Sequence, residues 1–393
     1  MATTPARSTA LIAHPYAPPE GFGSMQPAVH KGSTVLFQDT AALRSRDWRS
    51  KAGYTYGLHG TPTTFTLEAR IATLEGGTDS LLVPSGLAAI CLVDFALLGA
   101  GDMVVLPDNV YGPSRELARQ ELARSGVVHR VHDPLDPASL AAVLTPQTKL
   151  VWIEAPGSVT MEFPDVPALV AAVRATAPQA VVAIDDTWGA GIAYDPFALG
   201  CDISVHALTK YPSGGGDVLM GAVTTRDEAL HQRLKATHMR MGWGVAGNDA
   251  ELVLRSLPSL PLRYAAQDAA GRSFARWWQS RPECVQVLHP ALEGSPGHAH
   301  WKAHCSAAAG LFSIVLDAWF TQARVDAFLD ALCLVKLGYS WAGPVSLAVP
   351  YDLAAMRPGS PWKGQLVRFS VGLEDAEDLI DDCTQALDGL PRR

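Results

Sequence analysis

Residues 180–210 read AVVAIDDTWGAGIAYDPFALGCDISVHALTK, and more than any other segment they indicate how this chain folds. They hold two short apolar runs, 180–184 and 203–208, and each run predicts a buried strand. Asp185 ends the first run and Lys210 follows the second, which predicts that the lysine lies on the next strand. Two such charges are more often ordinary surface residues than a site, so the surrounding sequence has to decide between these interpretations.

Short apolar runs alternate with helical patterns on both sides of this segment, from about residue 64 to about residue 240. The runs are apolar at consecutive positions, which is typical of strands that are buried on both faces. The alternation predicts an α/β protein with a mostly parallel central sheet. Helices are predicted over 65–75, 86–98, 114–125 and 166–175, and strands over 80–83, 103–106, 127–131, 149–153 and 180–184.

The pattern changes after about residue 255, where Pro258 and Pro261 interrupt it and the strands and helices of a smaller α+β domain follow. The beginning of the chain is rich in Pro and Gly and has little periodicity, which is typical of a segment that lies over another surface. We therefore predict an N-terminal arm over 1–60, a large domain over 61–255 and a C-terminal domain over 256–393.

Length, charge and cysteine spacing limit the classes of function. With 393 residues, of which 48% are hydrophobic and 18% charged, the chain can bury a large core. Its net charge of -8 gives no reason to expect a nucleic acid or a membrane surface as partner, which favours small molecules. The six cysteines show no C-x-x-C spacing, so no metal site is expected. The first ten residues lack an apolar leader, and we expect a cytoplasmic protein.

Pyridoxal phosphate is the cofactor that suits Asp185 and Lys210. Its ring nitrogen must stay protonated to accept electrons, which a buried carboxylate enforces, and its aldehyde must be held by a lysine amine. The turn PSGLA, residues 84–88, lies between a predicted strand and a predicted helix, where backbone N–H groups attract a phosphate dianion. Gly86 lets the backbone approach closely. Such a turn is more often plain punctuation between two elements.

Three further side chains are candidates for the same site. Tyr111 follows the strand predicted at 103–106, so it falls at the edge where open α/β sheets gather ligands, and it could stack on the cofactor ring. Thr209 could add a hydroxyl group to the phosphate site, or be a strand residue of high β-propensity. Arg368 could bind a substrate carboxylate through two parallel hydrogen bonds. The ordinary alternatives are a loop tyrosine and an exposed strand arginine.

Several motifs together resemble the Cys/Met metabolism family of pyridoxal phosphate enzymes and, within it, the cystathionine β-lyase group. The resemblance covers about residues 50–385 and implies fold type I, the fold of the PLP-dependent aminotransferases. That fold has a mostly parallel central sheet, helices on both faces of the sheet and a smaller C-terminal α+β domain. The resemblance implies that the domain over 61–255 binds the cofactor and the domain over 256–393 the substrate. The motifs are DDTWGAG at 185–191, TKY at 209–211, RFSVGLED at 368–375, YSWAG at 339–343 and EAPGSVTME at 154–162.

The resemblance also implies a role for each candidate residue and a homotetramer in which the arms of neighbouring subunits share the active sites. Trp341 has an ordinary alternative as a core aromatic. By resemblance, Lys210 and Tyr111 are catalytic; Gly86, Leu87, Tyr111, Asp185, Thr209, Lys210 and the neighbour's Tyr56 bind the cofactor; and Arg368, Ser340, Trp341 and Tyr56 bind the substrate.

Three positions depart from the family pattern. Leu58 stands where relatives have an arginine, Ala207 where many have Ser or Thr, and Gly215 where they commonly have His. The guanidinium missing at position 58 removes a bidentate phosphate contact. We therefore expect the phosphate to be held mainly by backbone amides.

The activity implied by the resemblance is β-elimination from a sulfur amino acid, cystathionine, to give homocysteine, pyruvate and ammonia in methionine biosynthesis. Lys210 would remove the α proton, which a lysine does well when burial and neighbouring charge lower its pKa. A cysteine desulfhydrase, a cysteine-S-conjugate β-lyase or a γ-lyase of the same family would share these residues. The three departures motivate a further alternative, a protein that binds the cofactor without turnover.

Overall fold

Two separate β-sheets organise the chain in the computed structural model, which describes residues 6–13, 20–357, 359, 362 and 364–391. The strands are β1 (Asp79–Val83), β2 (Met103–Pro107), β3 (Val128–His132), β4 (Thr148–Glu154), β5 (Val181–Asp185), β6 (Ile203–His206), β7 (Gly221–Thr225), β8 (Cys284–Leu288), β9 (Leu311–Leu316), β10 (Lys336–Leu337), β11 (Leu347–Asp352) and β12 (Gln365–Ser370). The α-helices are α1 (Arg7–Ile12), α2 (Thr40–Arg44), α3 (Pro62–Glu75), α4 (Gly86–Leu97), α5 (Gly112–Leu117), α6 (Pro137–Val143), α7 (Val166–Thr176), α8 (Glu228–Met241), α9 (Gly247–Ser256), α10 (Leu260–Gln279), α11 (His298–His304), α12 (Gln322–Asp330), α13 (Leu353–Met356) and α14 (Ala376–Asp388).

The larger sheet has the strand order β1-β7-β6-β5-β4-β2-β3. Its strands from β2 to β6 run parallel to one another, whereas β7 is antiparallel to both of its neighbours, β1 and β6. The prediction of a mostly parallel central sheet is confirmed. Because β1 also opposes β7, it points the same way as the parallel strands, and its carboxyl end lies at the same edge of the sheet as theirs.

Residues along each central strand alternate between two apolar cores, one on each face of the larger sheet. In β5, Val182 and Ile184 belong to one core and Ala183 to the other. Leu67 of α3 shares the first core, and Leu92 of α4 shares the second. Helices therefore cover both faces, which explains why these strands are apolar at consecutive positions.

Local signals set the ends of α3. The helix begins at Pro62 rather than at the predicted residue 65, because Thr61 caps it. The Thr61 hydroxyl accepts the N–H of Thr64, and the Thr64 hydroxyl accepts the N–H of Thr61 in return. The helix ends at Gly76, which adopts a left-handed conformation with φ 75°, as the sequence predicted.

The smaller sheet has the strand order β10-β11-β12-β9-β8 and is antiparallel except between β10 and β11. An aromatic core covers it, in which Phe274 and Trp278 of α10 pack against Phe312 and Phe369 of the sheet. This region is the smaller α+β part that the sequence predicted. The predicted boundaries at residues 60 and 255 stay predictions.

The predicted placement of Lys210 on a strand is wrong. Strand β6 ends at His206, so Lys210 lies in the turn that follows. The Lys210 N–H donates to the Ala207 carbonyl oxygen at 3.0 Å, which closes this turn. The apolar run indicated a longer strand, but the Thr187 hydroxyl accepts the Ala207 N–H at 2.9 Å and so takes it away from the sheet ladder.

Within the described ranges of the chain, no helix is both long and apolar enough to cross a bilayer. The same residues contain no group of three or more His, Cys, Asp or Glu side chains arranged to hold a metal ion. All six cysteines are free thiols.

Candidate active site

A cavity of about 280 Å³ opens where the carboxyl edge of the larger sheet faces the smaller sheet. It combines residues that the sequence places far apart. Tyr56 is the predicted site residue that does not line it. The other nine do: Gly86, Leu87, Tyr111, Asp185, Thr209, Lys210, Ser340, Trp341 and Arg368.

Lys210 projects into this cavity from the turn after β6. Its ammonium group donates a hydrogen bond to the Ser340 hydroxyl at 2.8 Å and lies 5.6 Å from the centre of the Trp341 ring. Burial and the positive charge of Arg368 lower the pKa of Lys210 to about 8, although the charge of Asp185 opposes this. The side chain can therefore exchange a proton near neutral pH.

Asp185 ends β5 at the cavity, as predicted. Its Oδ1 accepts the Thr187 N–H at 2.9 Å. Burial raises the pKa of Asp185, while hydrogen bonds from Thr187 and the charges of His206 and Lys210 oppose the rise. A carboxylate buried in this way favours a cationic partner, because a nearby positive charge stabilises its ionised form.

Glu154 is a cavity residue that the sequence reasoning missed. It ends β4 and pairs in register with Asp185 of β5, so two carboxyl groups lie side by side. Burial and the charge of Asp185 raise the pKa of Glu154 well above its ordinary value. Its Oε2 accepts the Tyr111 N–H at 2.7 Å. The signal that found Asp185, an acidic residue ending an apolar run, could have found Glu154 as well.

The N-terminus of α4 forms a concave backbone surface at one end of the cavity. The Ser85 hydroxyl accepts the Ala88 N–H at 3.0 Å and caps the helix. The first amides of an α-helix, here those of Gly86 and Leu87, have no partner within the helix and point toward an anion. A Cβ atom on Gly86 would lie 2.6 Å from the Ala207 Cβ, so only glycine fits there.

The same contact involves one of the departures from the family pattern. The Cβ atom of Ala207 lies directly beside Gly86. Thr209, the predicted hydroxyl donor to phosphate, lines the cavity but is bonded to Met220. Its hydroxyl accepts the Met220 N–H at 3.0 Å and donates to the Met220 carbonyl oxygen at 3.2 Å. In this arrangement Thr209 shapes the turn that carries Lys210.

Arg368 lies on β12 at the other end of the cavity, where it is largely buried. Its Nη2 donates to the Ser340 carbonyl oxygen at 3.4 Å. Ser340 and Ala342 adopt left-handed conformations, with φ 78° and 66°, and the Ala342 N–H donates to the Ser370 hydroxyl at 3.2 Å. This strained loop presents the Ser340 hydroxyl to Lys210 and its carbonyl to Arg368.

Two tyrosines line the cavity near Arg368. Tyr111 is partly exposed, and burial together with the charges of Asp185 and Glu154 raises its pKa. The ring of Tyr351 lies 5.4 Å from the Arg368 guanidinium. Sequence reasoning missed Tyr351 because nothing in its local sequence distinguishes it from any other strand residue.

Tyr56 and Leu58 lie outside this cavity. They line a second cavity of about 380 Å³ together with Lys31 and the beginning of α9, and 46% of the Tyr56 surface is exposed. The leucine side chain packs next to Gly244. Within one chain, therefore, Tyr56 does not join the other predicted residues.

The groups in the first cavity fit pyridoxal phosphate. The amides at the start of α4 suit its phosphate, the buried carboxylate of Asp185 suits its ring nitrogen, and the Lys210 amine suits its aldehyde. The observation that tests this fit is at Gly86. Only glycine fits beside Ala207, so position 86 has no side chain that could cover the amides.

Comparison with known proteins places the chain among related enzymes. A family model described as "Cys/Met metabolism PLP-dependent enzyme" matches residues 8–388. The chain is 40% identical over 380 residues to a "Cystathionine beta-lyase" of Bordetella avium, which covers 95% of this chain and 94% of that one. It is 36% identical over 367 residues to a "Cystathionine beta-lyase" of Salmonella typhimurium, covering 92% of both chains. The solved structure of cystathionine gamma synthase from Xanthomonas oryzae pv. oryzae, in complex with aminoacrylate and cysteine, superposes with a TM-score of 0.90 at 29% identity over 98% of both chains.

Proposed function

This chain belongs to the Cys/Met metabolism family of PLP-dependent enzymes, and we propose that it is a lyase that cleaves cystathionine to homocysteine, pyruvate and ammonia. Its cofactor is pyridoxal phosphate. The observation that carries the proposal is that one cavity holds Lys210, with its pKa lowered to about 8, together with Asp185 and Arg368. Relatives that bear the name of this activity support the choice of substrate.

The cofactor would be held at three points by groups of this chain. When bound, pyridoxal phosphate supplies an electron sink that stabilises negative charge at the substrate's α carbon. The amides of Gly86 and Leu87 would hold the phosphate, and Asp185 would keep the proton on the ring nitrogen. Tyr111 would cover the ring with its own aromatic face.

Lys210 would act as the base that takes the α proton. With a pKa of about 8, roughly a tenth of its side chains are neutral at pH 7. The Ser340 hydroxyl, 2.8 Å away, fixes the orientation of the amine. Once protonated, Lys210 can supply the proton that the departing thiolate needs when the bond between sulfur and the β carbon breaks.

Arg368 would bind the α-carboxylate of the substrate through two parallel hydrogen bonds. Ser340 and Trp341 would border the amino acid on the Lys210 side, and Tyr111 on the side of Glu154. Because its pKa is raised, Tyr111 keeps its hydroxyl proton at neutral pH, and the hydroxyl can donate a hydrogen bond to the substrate.

The assembly and the location of the protein are part of the proposal. We expect a cytoplasmic homotetramer in which residues 1–60 of one subunit reach the cavity of its neighbour and bring Tyr56 to the phosphate. The partly exposed Tyr56, outside its own chain's cavity, supports this arrangement. Leu58 cannot replace the expected arginine, so the backbone amides of α4 carry most of the phosphate binding.

Identification of the keto acids formed from cystathionine, cystine and methionine, measured side by side, tests the proposed function. We expect pyruvate to be the dominant product from cystathionine. If 2-oxobutyrate is the dominant product instead, the proposal is wrong and the protein is a γ-lyase. Pyruvate and sulfide from cysteine without cleavage of cystathionine would indicate a desulfhydrase. The absence of any keto acid would indicate a protein that binds the cofactor without turnover.

A further inference from the structure

A cluster of partly buried charges lies beside the cavity and has no role in the mechanism above. Its centre is Arg357, which directly follows α13 and whose side chain is 11% exposed. The guanidinium binds Asp108 twice, from Nε to Oδ2 at 3.1 Å and from Nη2 to Oδ1 at 2.6 Å. Its Nη1 donates to Oε1 of Glu162, whose side chain is 2% exposed. One arginine thus joins three segments that are far apart in the sequence.

The two acidic partners of this arginine belong to two loops that shape the cavity. Asp108 and Asn109 lie between the end of β2 and Tyr111. The Asn109 side chain donates to Oε2 of Glu162 at 2.8 Å. The Ser158 N–H, from the loop after β4, donates to the Asn109 carbonyl oxygen at 2.9 Å. The two loops are therefore bound to each other as well as to the arginine.

The segment that carries the arginine also forms part of the cavity wall. It continues from β11, which carries Tyr351 beside Arg368, into α13. Arg115 of α5 donates to the Met356 carbonyl oxygen at 3.2 Å, so α13 is also bound to the helix that begins after Tyr111. The walls that carry Tyr111 and Tyr351 are joined at this point.

We propose that Arg357 is a positioning residue that fixes the spacing between the Tyr111 loop and the strand of Tyr351, and so shapes the end of the cavity where Arg368 binds the substrate. It acts through these neighbours and does not itself touch substrate or cofactor. The planar guanidinium suits this task because it serves two carboxylates in one fixed geometry, which a lysine does not. The proposal rests on the proposed function only in assuming that an amino acid occupies the cavity.

The α4 amides and Asp185 are not part of this junction, and only Tyr111 connects it to the cofactor, so the affinity for the cofactor should depend on the junction much less than the affinity for an amino acid does. A purely stabilising ion pair would behave differently, since its loss would lower the melting temperature without changing ligand affinity. Affinity for an amino acid therefore separates the two roles.

The experiment compares the holoenzymes of wild type, Arg357→Gln and Arg357→Lys with glycine as the probe. Glycine binds as an amino acid but has no β leaving group, and the absorbance of the bound cofactor reports its Kd. We expect Arg357→Gln to weaken glycine binding by roughly tenfold or more, because small misplacements at a site are costly, while the Kd of the cofactor rises by less than about threefold, since only its ring contact with Tyr111 is affected. Arg357→Lys should restore only part of the loss.

Arg174→Gln is the matched control. Arg174 makes a similar two-oxygen pair with Asp202, at 2.7 Å to each oxygen, but it lies away from the cavity. It should lower the melting temperature without changing the Kd of glycine. If Arg357→Gln behaves like this control, or if it weakens cofactor and glycine equally, the positioning role is wrong.

Asp108→Asn provides a second test should Arg357→Gln fail to fold. This variant removes one carboxylate and leaves the contact with Glu162 in place, so a smaller loss of glycine affinity is expected. An unchanged Kd of glycine would contradict the proposal. Because glycine binding requires no cleavage of cystathionine, the result stands whether or not the protein proves to be a cystathionine lyase.

Discussion

Lys210 donates a hydrogen bond to the Ser340 hydroxyl over 2.8 Å, although 130 positions separate the two residues in the sequence. The contact crosses from the turn after β6 to the loop that precedes β11. Ser340 adopts a left-handed conformation with φ 78°, so the backbone of this loop is strained at the residue whose hydroxyl binds Lys210. The proposed base is therefore oriented by a residue from the smaller-sheet region.

Removal of the Ser340 hydroxyl should slow the reaction without releasing the cofactor. We expect Ser340→Ala to lower kcat by roughly tenfold, because the buried amine loses its hydrogen-bond partner. Ser340→Gly is the matched variant, since glycine also removes the hydroxyl but relieves the left-handed strain. Equal losses in steady-state kinetics would assign the effect to the hydroxyl; recovery in the glycine variant would assign it to the backbone.

Replacement of Lys210 should stabilise the cofactor-free protein at neutral pH. The pKa of Lys210 falls from 10.5 to about 8 on folding, mainly through burial. Below pH 8 the folded chain must bury a charge, and between about pH 8 and 10.5 the unfolded chain binds a proton that the folded chain does not. This group's contribution to stability therefore rises with pH across that window.

Melting curves of wild type and Lys210→Met, both free of cofactor, check this expectation. The methionine variant should have the higher Tm at pH 7, and its advantage should shrink toward pH 10. A difference in Tm that does not change with pH would show that the lysine is not buried as described.

Gly86→Ala should weaken binding of the cofactor's phosphate. The new Cβ would lie 2.6 Å from that of Ala207, which forces the amides at the start of α4 to shift. We expect the Kd of pyridoxal phosphate to rise roughly ten- to a hundredfold, in line with the loss of one or two charge-assisted hydrogen bonds. Adding Ala207→Gly should restore part of the affinity by making room. Gly99→Ala, whose new Cβ would lie 3.6 Å from its nearest neighbour in Asp102, should leave the Kd unchanged.

The phosphate site should also respond to changes in the N-terminal arm. If Tyr56 of a neighbouring subunit contacts the phosphate, Tyr56→Phe should weaken cofactor binding, and Leu58→Arg should tighten it by roughly tenfold through a new charge-assisted contact. Equilibrium dialysis of the assembled protein measures both. Unchanged affinity in both variants would mean that the arm does not reach the cofactor.

Glu154 should tolerate replacement by its neutral analogue. Burial and the charge of Asp185 raise its pKa well above the ordinary value, which favours the neutral form, and Glu154→Gln should therefore keep kcat within about threefold, since the glutamine carbonyl can still accept the Tyr111 N–H. Glu154→Ala removes that acceptor and should lower kcat by roughly tenfold. A large loss in the glutamine variant would mean that Glu154 acts as an anion.

Much of the large domain could be predicted because its signals are local. The strands ending at Val83, Pro107 and Asp185 are short apolar runs, and the capped start of α4 follows one of them. Each run is buried on both faces by helices, so its apolar residues are consecutive and easy to find. The strand that was extended to Lys210 shows the limit of this reasoning, since it ends where the Ala207 N–H donates to the hydroxyl of Thr187, 20 positions away.

The sequence by itself determined most of the strand and helix pattern of the large domain, the family and the identity of the candidate residues Asp185, Lys210 and Arg368. Only the tertiary structure decided that β7 runs against its neighbours, that Glu154 lies beside Asp185, and that Arg357 joins the two walls of the cavity. The physical reason is that local propensity and periodicity act over a few neighbouring residues. A contact between residues 195 positions apart, such as that of Arg357 with Glu162, depends instead on how the finished elements pack.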